Sequence, residues 1–487
     1  LSLTTIADEA RIALATLAER TTGLAGANVR LGVTGLSRAG KTVFITALVH
    51  NLIHGGRLPL FRAYASGRVT GAALQPQPDD DVPRFDYEAH VADMVDERVW
   101  PDSTRRISEL RLTIFFESAT MLGRRFGRGR LHVDIVDYPG EWLLDLPLLG
   151  KDFARWSTEA IARAGEPARA HASAAWLARL RDIDAGAPEN EATTRELAGL
   201  FTDYLRANRD DRRSLSTQPP GRFLMPGDLD GSPALTFSPL LIGGATPARG
   251  SLLQMMVRRY EAYKTSVVKP FFRDHFTRLD RQIVLVDALH AINGGAEALR
   301  DLENALTEIL ATFRPGRGFW LSRLLSRRID RVLLAATKAD HLHHADHDRL
   351  DAILNRILAR AVARAEISGA GIKTMAIAAV RATREGTIVE NGDRLPGIIG
   401  TPMAGERVDG RTFDGKTEVA LFPGDLPADP GSLFLEPDKI ANQKAAALEF
   451  VRFRPPALER TAEGLTLSLP HIRLDSALDY LLGDRLA

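Results

Sequence analysis

The chain has 487 residues, 45% hydrophobic and 26% charged, enough to bury a sizeable core in two or three domains. A formal net charge of +1 offers no basic or acidic excess, so nucleic acid and anionic lipid are not expected as main partners. The absence of cysteine excludes disulfides, thiolate zinc sites and a cysteine nucleophile, and no run of about 18 apolar residues marks a transmembrane segment. Leu1 in place of methionine is read as a trimmed start.

In chain order, helical spacing in "TTIADEARIALATLAER" predicts a helix over roughly residues 5–20, and "NVRLGVTG" predicts a short strand. "KTVFITALVHNLI" then predicts a helix ending near Gly55 and Gly56. From Arg57 to about Asp102 the expectation is a long loop with one helical stretch, "YEAHVADMVDERVW". "ELRLTIFFES" and "RLHVDIVDYPG" alternate as strands and predict a hairpin around "GRRFGRGR". Residues 151–207 carry helical periodicity, 215–250 are rich in Pro and Gly, and "SLLQMMVRRYEAYKTSVVKPFFRDHF" is helical again. Three near-continuous apolar runs follow, "RQIVLVDAL", "RVLLAATKAD" and "IKTMAIAAVRAT", separated by helical patterns as a parallel sheet buried on both faces requires. Residues from about Gly386 to Arg454 show strand-like pieces, "TEVALFPG" and "EFVRFRPP", and "LDSALDYLLGD" predicts a final helix.

The motif that organises the chain is "GLSRAGKTVF". Gly35, Gly40, Lys41 and Thr42 fit G-x-x-x-x-G-K-[ST] between a predicted strand and a predicted helix, the context of a phosphate-binding loop. Such glycines let successive N–H groups, here from Gly35 through Ser37, Arg38, Ala39 and Gly40 to Val43, converge on one anion at a helix N-terminus. Lys41 would reach the β- and γ-phosphates and Thr42 would offer its hydroxyl to Mg²⁺. A Mg²⁺-linked carboxylate belongs at the end of a neighbouring strand. Asp137 is preferred because Gly140 completes D-x-x-G behind it, while Asp287 is read as the end of the next core strand and Asp134 as structural.

Thr337-Lys338-Ala339-Asp340 matches the base reader N/T-K-x-D, in which an Asp carboxylate accepts two N–H bonds from guanine and the Lys stem covers the ring. Ala379 and Val380, one strand further on, are placed where a last loop would touch the guanine oxygen. Glu141 stands where small GTPases carry a water-orienting glutamine, so slow turnover is expected; the alternative is a pair with an arginine of the insert. Arg38 is a candidate arginine finger in cis, against a solvated loop arginine. For the switch I threonine the assignment is Thr104, with Thr70 as runner-up; Arg105 and Arg106 are further finger candidates. His343 and His347, spaced i, i+4, raise a metal site, weighed against a polar helix start.

The order P-loop, D-x-x-G, T-K-x-D and last loop is that of a GTPase G domain. With "GLSRAGKTVFITALVHNL", "DIVDYPGEWLLDLPLL", "AATKADHL" and the ending "FVRFRPP…LPHIRLDSALDYLLGD", the chain from about residue 5 to its end resembles the bacterial YcjX-like family of stress-associated P-loop GTPases. The resemblance implies GDP/GTP and Mg²⁺ binding, a cytoplasmic location and an envelope- or heat-stress setting, often beside an inner-membrane partner. K⁺ is a further candidate ion. The expected architecture is a three-layer, mostly parallel α/β G domain over 1–148 and 270–385. It carries a helical insert with a Pro/Gly-rich loop over 149–269 and a small α+β C-terminal region over 386–487. The expected function is a Mg²⁺-dependent, GTP-hydrolysing switch that couples nucleotide state to the insert. The alternatives are an ATP-using P-loop enzyme and a nucleotide-binding scaffold with negligible hydrolysis.

Overall fold

The computed structural model describes residues 27–36, 38–102, 106–119, 129–209, 218–244, 246–312, 329–365, 371–390, 393–408, 410–435, 448, 450–458 and 468–486. The helix expected over 5–20 lies outside them. Seven described strands form one sheet: β1 (Ala27–Gly35), β2 (Val69–Gln75), β3 (Ser108–Phe116), β4 (Gly129–Asp137), β5 (Arg281–Val286), β6 (Arg331–Ala336) and β7 (Gly371–Ala376), in the order β2-β3-β4-β1-β5-β6-β7. β4, β1, β5, β6 and β7 run parallel, and β2 and β3 are antiparallel additions at one edge. The chain is thus a mostly parallel α/β fold of the P-loop G-domain type. The β3–β4 hairpin pairs as expected, Ser108 opposite Asp137 through Phe116 opposite Gly129.

The helices used below are α1 (Lys41–Ile53), α2 (Phe153–Ala164), α3 (Pro167–Arg181), α4 (Glu191–Asn208), α5 (Leu252–Tyr263), α6 (Ala288–Asn293), α7 (Gly295–Thr312), α8 (His347–Ala365) and α9 (Leu474–Leu482). Strand alternation divides the core between the two faces of the sheet. Ile283 and Leu285 of β5 face a layer that holds Phe44, Ile45 and Leu48 of α1 together with Leu474, Leu478 and Leu481 of α9. Val284 and Val286 face the opposite layer, with Leu306 of α7 and Leu354 of α8. That second cluster runs on without a break into Trp156, Trp176, Phe201 and Tyr260 of the helices between β4 and β5. The inserted helices therefore share one core with the sheet. The last helix is fully buried along its apolar stripe, so packing rather than a lipid surface uses that stripe.

Three local expectations are corrected. Within 57–102 the chain forms β2 as well as the helical stretch, which is Tyr87–Ala92 followed by a π turn over Asp93–Glu97. "VTGAALQ" is poor in β-branched residues, and its strand state comes from pairing with β3, a tertiary effect that local propensity does not carry. After D-x-x-G the chain is not a simple turn but a 3-10 helix over Gly140–Gly150, buried at Gly140 through Leu146. The described residues of "EFVRFRPP" do not join a sheet; among them Phe453 makes one isolated bridge, to Pro402. The small second sheet is instead β8 (Arg384–Glu390) and β9 (Asp393–Gly400) with the short strand Val419–Leu421.

Candidate functional site

β1 ends at Gly35, and the turn into α1 is made by two residues in the left-handed region, Arg38 (φ 64°) and Gly40 (φ 80°). Glycine accepts that conformation freely; Arg38 does so under strain, as loops that approach a ligand often do. Gly40 is the N-cap of α1, and no side chain caps it. The first N–H groups of the helix therefore open towards an anion site. Lys41 is buried with its Nζ 3.3 Å from the Gly35 carbonyl, so it lies back across the loop that it follows. The Thr42 hydroxyl reaches the Asp102 carbonyl over 3.4 Å, which brings the segment leading into residues 103–105 onto the P-loop.

A cavity of about 280 Å³ opens here. Its walls are Arg38 to Phe44 from the P-loop and α1, Trp100 to Asp102, Thr337, Lys338, Asp340 and His341, and Ile377 to Val380. Met403, Arg452 and Phe453 of the C-terminal region complete it. The phosphate-binding and base-reading motifs, three hundred residues apart in sequence, thus share one pocket because β1, β5, β6 and β7 are parallel neighbours with their C-terminal ends on the same side. Among the expected residues Arg38, Ala39, Gly40, Lys41, Thr42, Val43, Lys338, Asp340, Ala379 and Val380 line it. Ser37 and Thr104 lie outside the described residues, as does Arg105. Thr70 sits in the edge strand β2 with its hydroxyl on the Phe115 carbonyl, away from the cavity wall. Arg106 is exposed.

Gly35, Asp137, Gly140 and Glu141 are not on the wall but join it through the strand ends. Asp137 is buried at the end of β4, in register with Val33 of β1. Gly140 presses against the P-loop so closely that a Cβ there would stand 1.7 Å from the Gly35 carbonyl oxygen. No other residue type fits without moving one of the two motifs. Glu141, next in the chain, is buried with its Oε1 2.9 Å from Arg209 Nη2, just beyond α4. The structure therefore adopts the pairing with an insert arginine that stood as the alternative to a water-orienting role.

Asp340 is held from two sides: its Oδ2 accepts from the Ala382 amide at 2.8 Å, and the Thr383 hydroxyl donates to its backbone carbonyl. The last loop is fastened in turn by Ala378 and Ile472, which exchange backbone bonds of 3.0 and 2.8 Å. Lys338 adopts φ 63° and its Nζ pairs with Asp287, whose Oδ1 caps α6 through the His290 amide at 3.1 Å. Burial would raise the Asp287 carboxyl, but the Lys338 charge and these bonds outweigh it and hold it below the usual range. Asp287 thus pairs with the lysine of the T-K-x-D motif, and it follows directly on β5, in keeping with its reading as a strand end. Asp134 is bidentate with Arg111 at 2.6 and 2.8 Å, a structural pair. The i, i+4 pair His343 and His347 does not form the expected group: His347 Nε2 bonds the Ala339 carbonyl at 2.9 Å, whereas His343 lies with His344 and Glu385, His344 Nδ1 being 2.8 Å from the Glu385 carboxylate, in a cluster whose donor atoms could hold a metal ion.

A model of the YcjX-like family, DUF463, matches residues 29–486. The chain belongs to that family. It is 38% identical over 473 residues to the Ras-like GTPase YcjX of Escherichia coli (strain K12), covering 94% of this chain and 96% of that protein. It is 35% identical over 481 residues to the protein of the same name from Shewanella oneidensis (strain MR-1), covering 94% and 95%. Membership accounts for the motif order and for the whole-length match, including the ending that closes the cavity. Among the described residues no helix is long and apolar enough to cross a membrane. What spacing alone did not reveal in this YcjX-like chain is the contribution of Arg209, Trp100, Met403, Arg452 and Phe453, none of which sits in a phosphate or base motif.

Proposed function

We propose that this chain binds and slowly hydrolyses GTP with Mg²⁺, as a switch that reports its nucleotide state through the helices between β4 and β5. The observation that carries the reading is the single cavity shared by Arg38–Val43, Lys338 with Asp340, and Ala378–Val380. It joins an anion cradle to a buried carboxylate in the order a guanine nucleotide needs, and the GTPase names of the relatives agree with it. The N–H groups at the start of α1 and the Lys41 ammonium bind the β- and γ-phosphates, and Asp340 accepts from the guanine edge while Lys338 covers the ring. Thr42 and Asp137 are the donor types a hard divalent cation takes, a hydroxyl and a buried carboxylate. When bound, Mg²⁺ supplies positive charge to the phosphate oxygens. Arg38 offers further charge from the P-loop, and Thr104 completes the switch I contact. Glu141 is the water-orienting candidate only if it leaves Arg209.

A protein partner reading the insert, and a cytoplasmic or peripheral inner-membrane setting in bacterial stress, are proposed with this function. Asp340→Asn tests it. An Asn carbonyl can keep the Ala382 amide bond, while its NH₂ now faces the base as a donor. Calorimetry is expected to show GDP affinity falling at least about a hundredfold and xanthosine diphosphate gaining. Undiminished GDP binding, or ATP competing as well as GTP in the unsubstituted protein, would overturn the assignment.

A further inference from the structure

The cavity has a wall that no nucleotide motif supplies. Arg452 and Phe453 supply it, and the segment Phe450–Pro455 that carries them is tied at each end to a different part of the G-domain fold. Asn293, at the end of α6, exchanges two bonds with Phe450, donating from its amide to the Phe450 carbonyl (3.0 Å) and accepting the Phe450 N–H (3.2 Å). At the other end the Arg98 guanidinium donates to the Pro455 carbonyl at 3.2 Å, and the Arg454 guanidinium donates back to the carbonyls of Glu97 and Arg98. Between them the Trp100 indole N–H donates to the Phe453 carbonyl at 2.6 Å. Phe453 is buried, packs on Gly400 so tightly that a Cβ there would meet its ring at 2.8 Å, and stands edge-on to His341 with centroids 5.2 Å apart. Burial keeps His341 below the usual histidine range, so that neighbour is a neutral ring.

The geometry points to Phe453 as the apolar wall of the base subsite, with Trp100 as the positioning residue that holds it. Resting on the nucleotide reading above, this assigns the C-terminal segment a binding role: it recognises the purine ring of a nucleoside phosphate and is indifferent to the phosphates. Three facts argue for it. Phe453 lines the cavity and packs edge-on against His341, the residue after Asp340, so it stands on the T-K-x-D side of the cavity. The ring is fixed by Gly400 and His341 and cannot collapse into the space that a base would take. The backbone carbonyl of Phe453 is held by the indole N–H of Trp100, two residues before the Asp102 carbonyl that meets Thr42 of the P-loop.

The test compares GDP with inorganic triphosphate, both with Mg²⁺, by calorimetry on the full chain. Phe453→Ala should weaken GDP about tenfold while triphosphate stays within about twofold; Phe453→Leu should restore most of the loss. Trp100→Phe keeps an aromatic ring and removes only the N–H, and should weaken GDP severalfold with triphosphate again unmoved. Thermal melting confirms that each variant is folded. Unchanged GDP affinity in Phe453→Ala, or parallel loss of both ligands, would overturn the wall. If the unsubstituted protein binds triphosphate but not GDP, the base assignment itself has failed. If it binds neither, the phosphate reading has failed.

Discussion

Glu141 and Arg209 form an unequal pair. The carboxylate side chain is 5% exposed and the guanidinium 23%, so the anion depends on its partner far more than the cation does. Removing the cation leaves a buried charge, whereas neutralising the anion leaves an arginine that can turn to water. Arg209→Ala is therefore expected to lower the unfolding free energy by about 3 kcal/mol, and Glu141→Gln by less than about 1 kcal/mol. Equal costs in urea titrations would show that the pair is not what holds Glu141. A similar inequality governs Lys338, whose left-handed backbone and pairing with Asp287 set the ammonium before any ring arrives. This layer of the site was only half legible in the sequence. The T-K-x-D residues are contiguous and declare themselves, but the counter-ion comes from the turn between β5 and α6 and the insert arginine from 68 residues after Glu141, and neither distance has a periodicity that could betray it.

At the scale of elements, the 3-10 helix Gly140–Gly150 joins the D-x-x-G turn to the inserted helices. Its Asp145 accepts from the Gly221 amide at 2.7 Å, the Arg222 amide at 3.3 Å and the Tyr263 hydroxyl at 2.6 Å, and Arg222 lies over the Trp142 ring at 3.1 Å. Burial pushes the Asp145 carboxyl up to about 6, against the opposing pull of those bonds. Because the folded value lies above the unfolded one, the favourable contribution is complete below about pH 4, and is lost as pH rises through 6. Two units correspond to roughly 3 kcal/mol. Between pH 4 and 7 the native chain is expected to lose up to about that much more unfolding free energy than Asp145→Asn does; identical slopes in the two proteins would refute this. The sequence announced the parallel strands and their helices, since runs such as "IVLV" of β5 are apolar throughout and buried throughout. It did not announce β2 or the 3-10 helix. Both are stabilised by what packs on them, and "GEWLLDLPLLG" carries no spacing that distinguishes a 3-10 run from a loop.

For the whole molecule, the decisive fact is that insert and sheet share one hydrophobic cluster. A domain on a hinge could swing when the γ-phosphate is lost; helices locked by Trp156, Phe201 and Tyr260 into the core beneath the sheet cannot do so without opening that core. Under the switch function proposed above, a displacement starting where Gly140 presses on Gly35 would instead pass along the 3-10 helix as a small shift, first at Glu141 with Arg209, then at Asp145 with Gly221 and Tyr263. Hydrogen exchange on the full chain, with GDP or a non-hydrolysable GTP analogue and Mg²⁺, is the measurement that follows. Amides of 218–224 and 252–268 should change protection at least about fivefold between the two states, while the β8–β9 hairpin, which packs in a separate small cluster, should not. Small-angle scattering should give the same radius of gyration in both states to within about 0.5 Å, since the described insert helices are packed into the sheet's own core. Exchange differences confined to 35–42 and 137–141 would mean that the insert does not sense the nucleotide; a clear change in radius would mean that it moves as a rigid body after all.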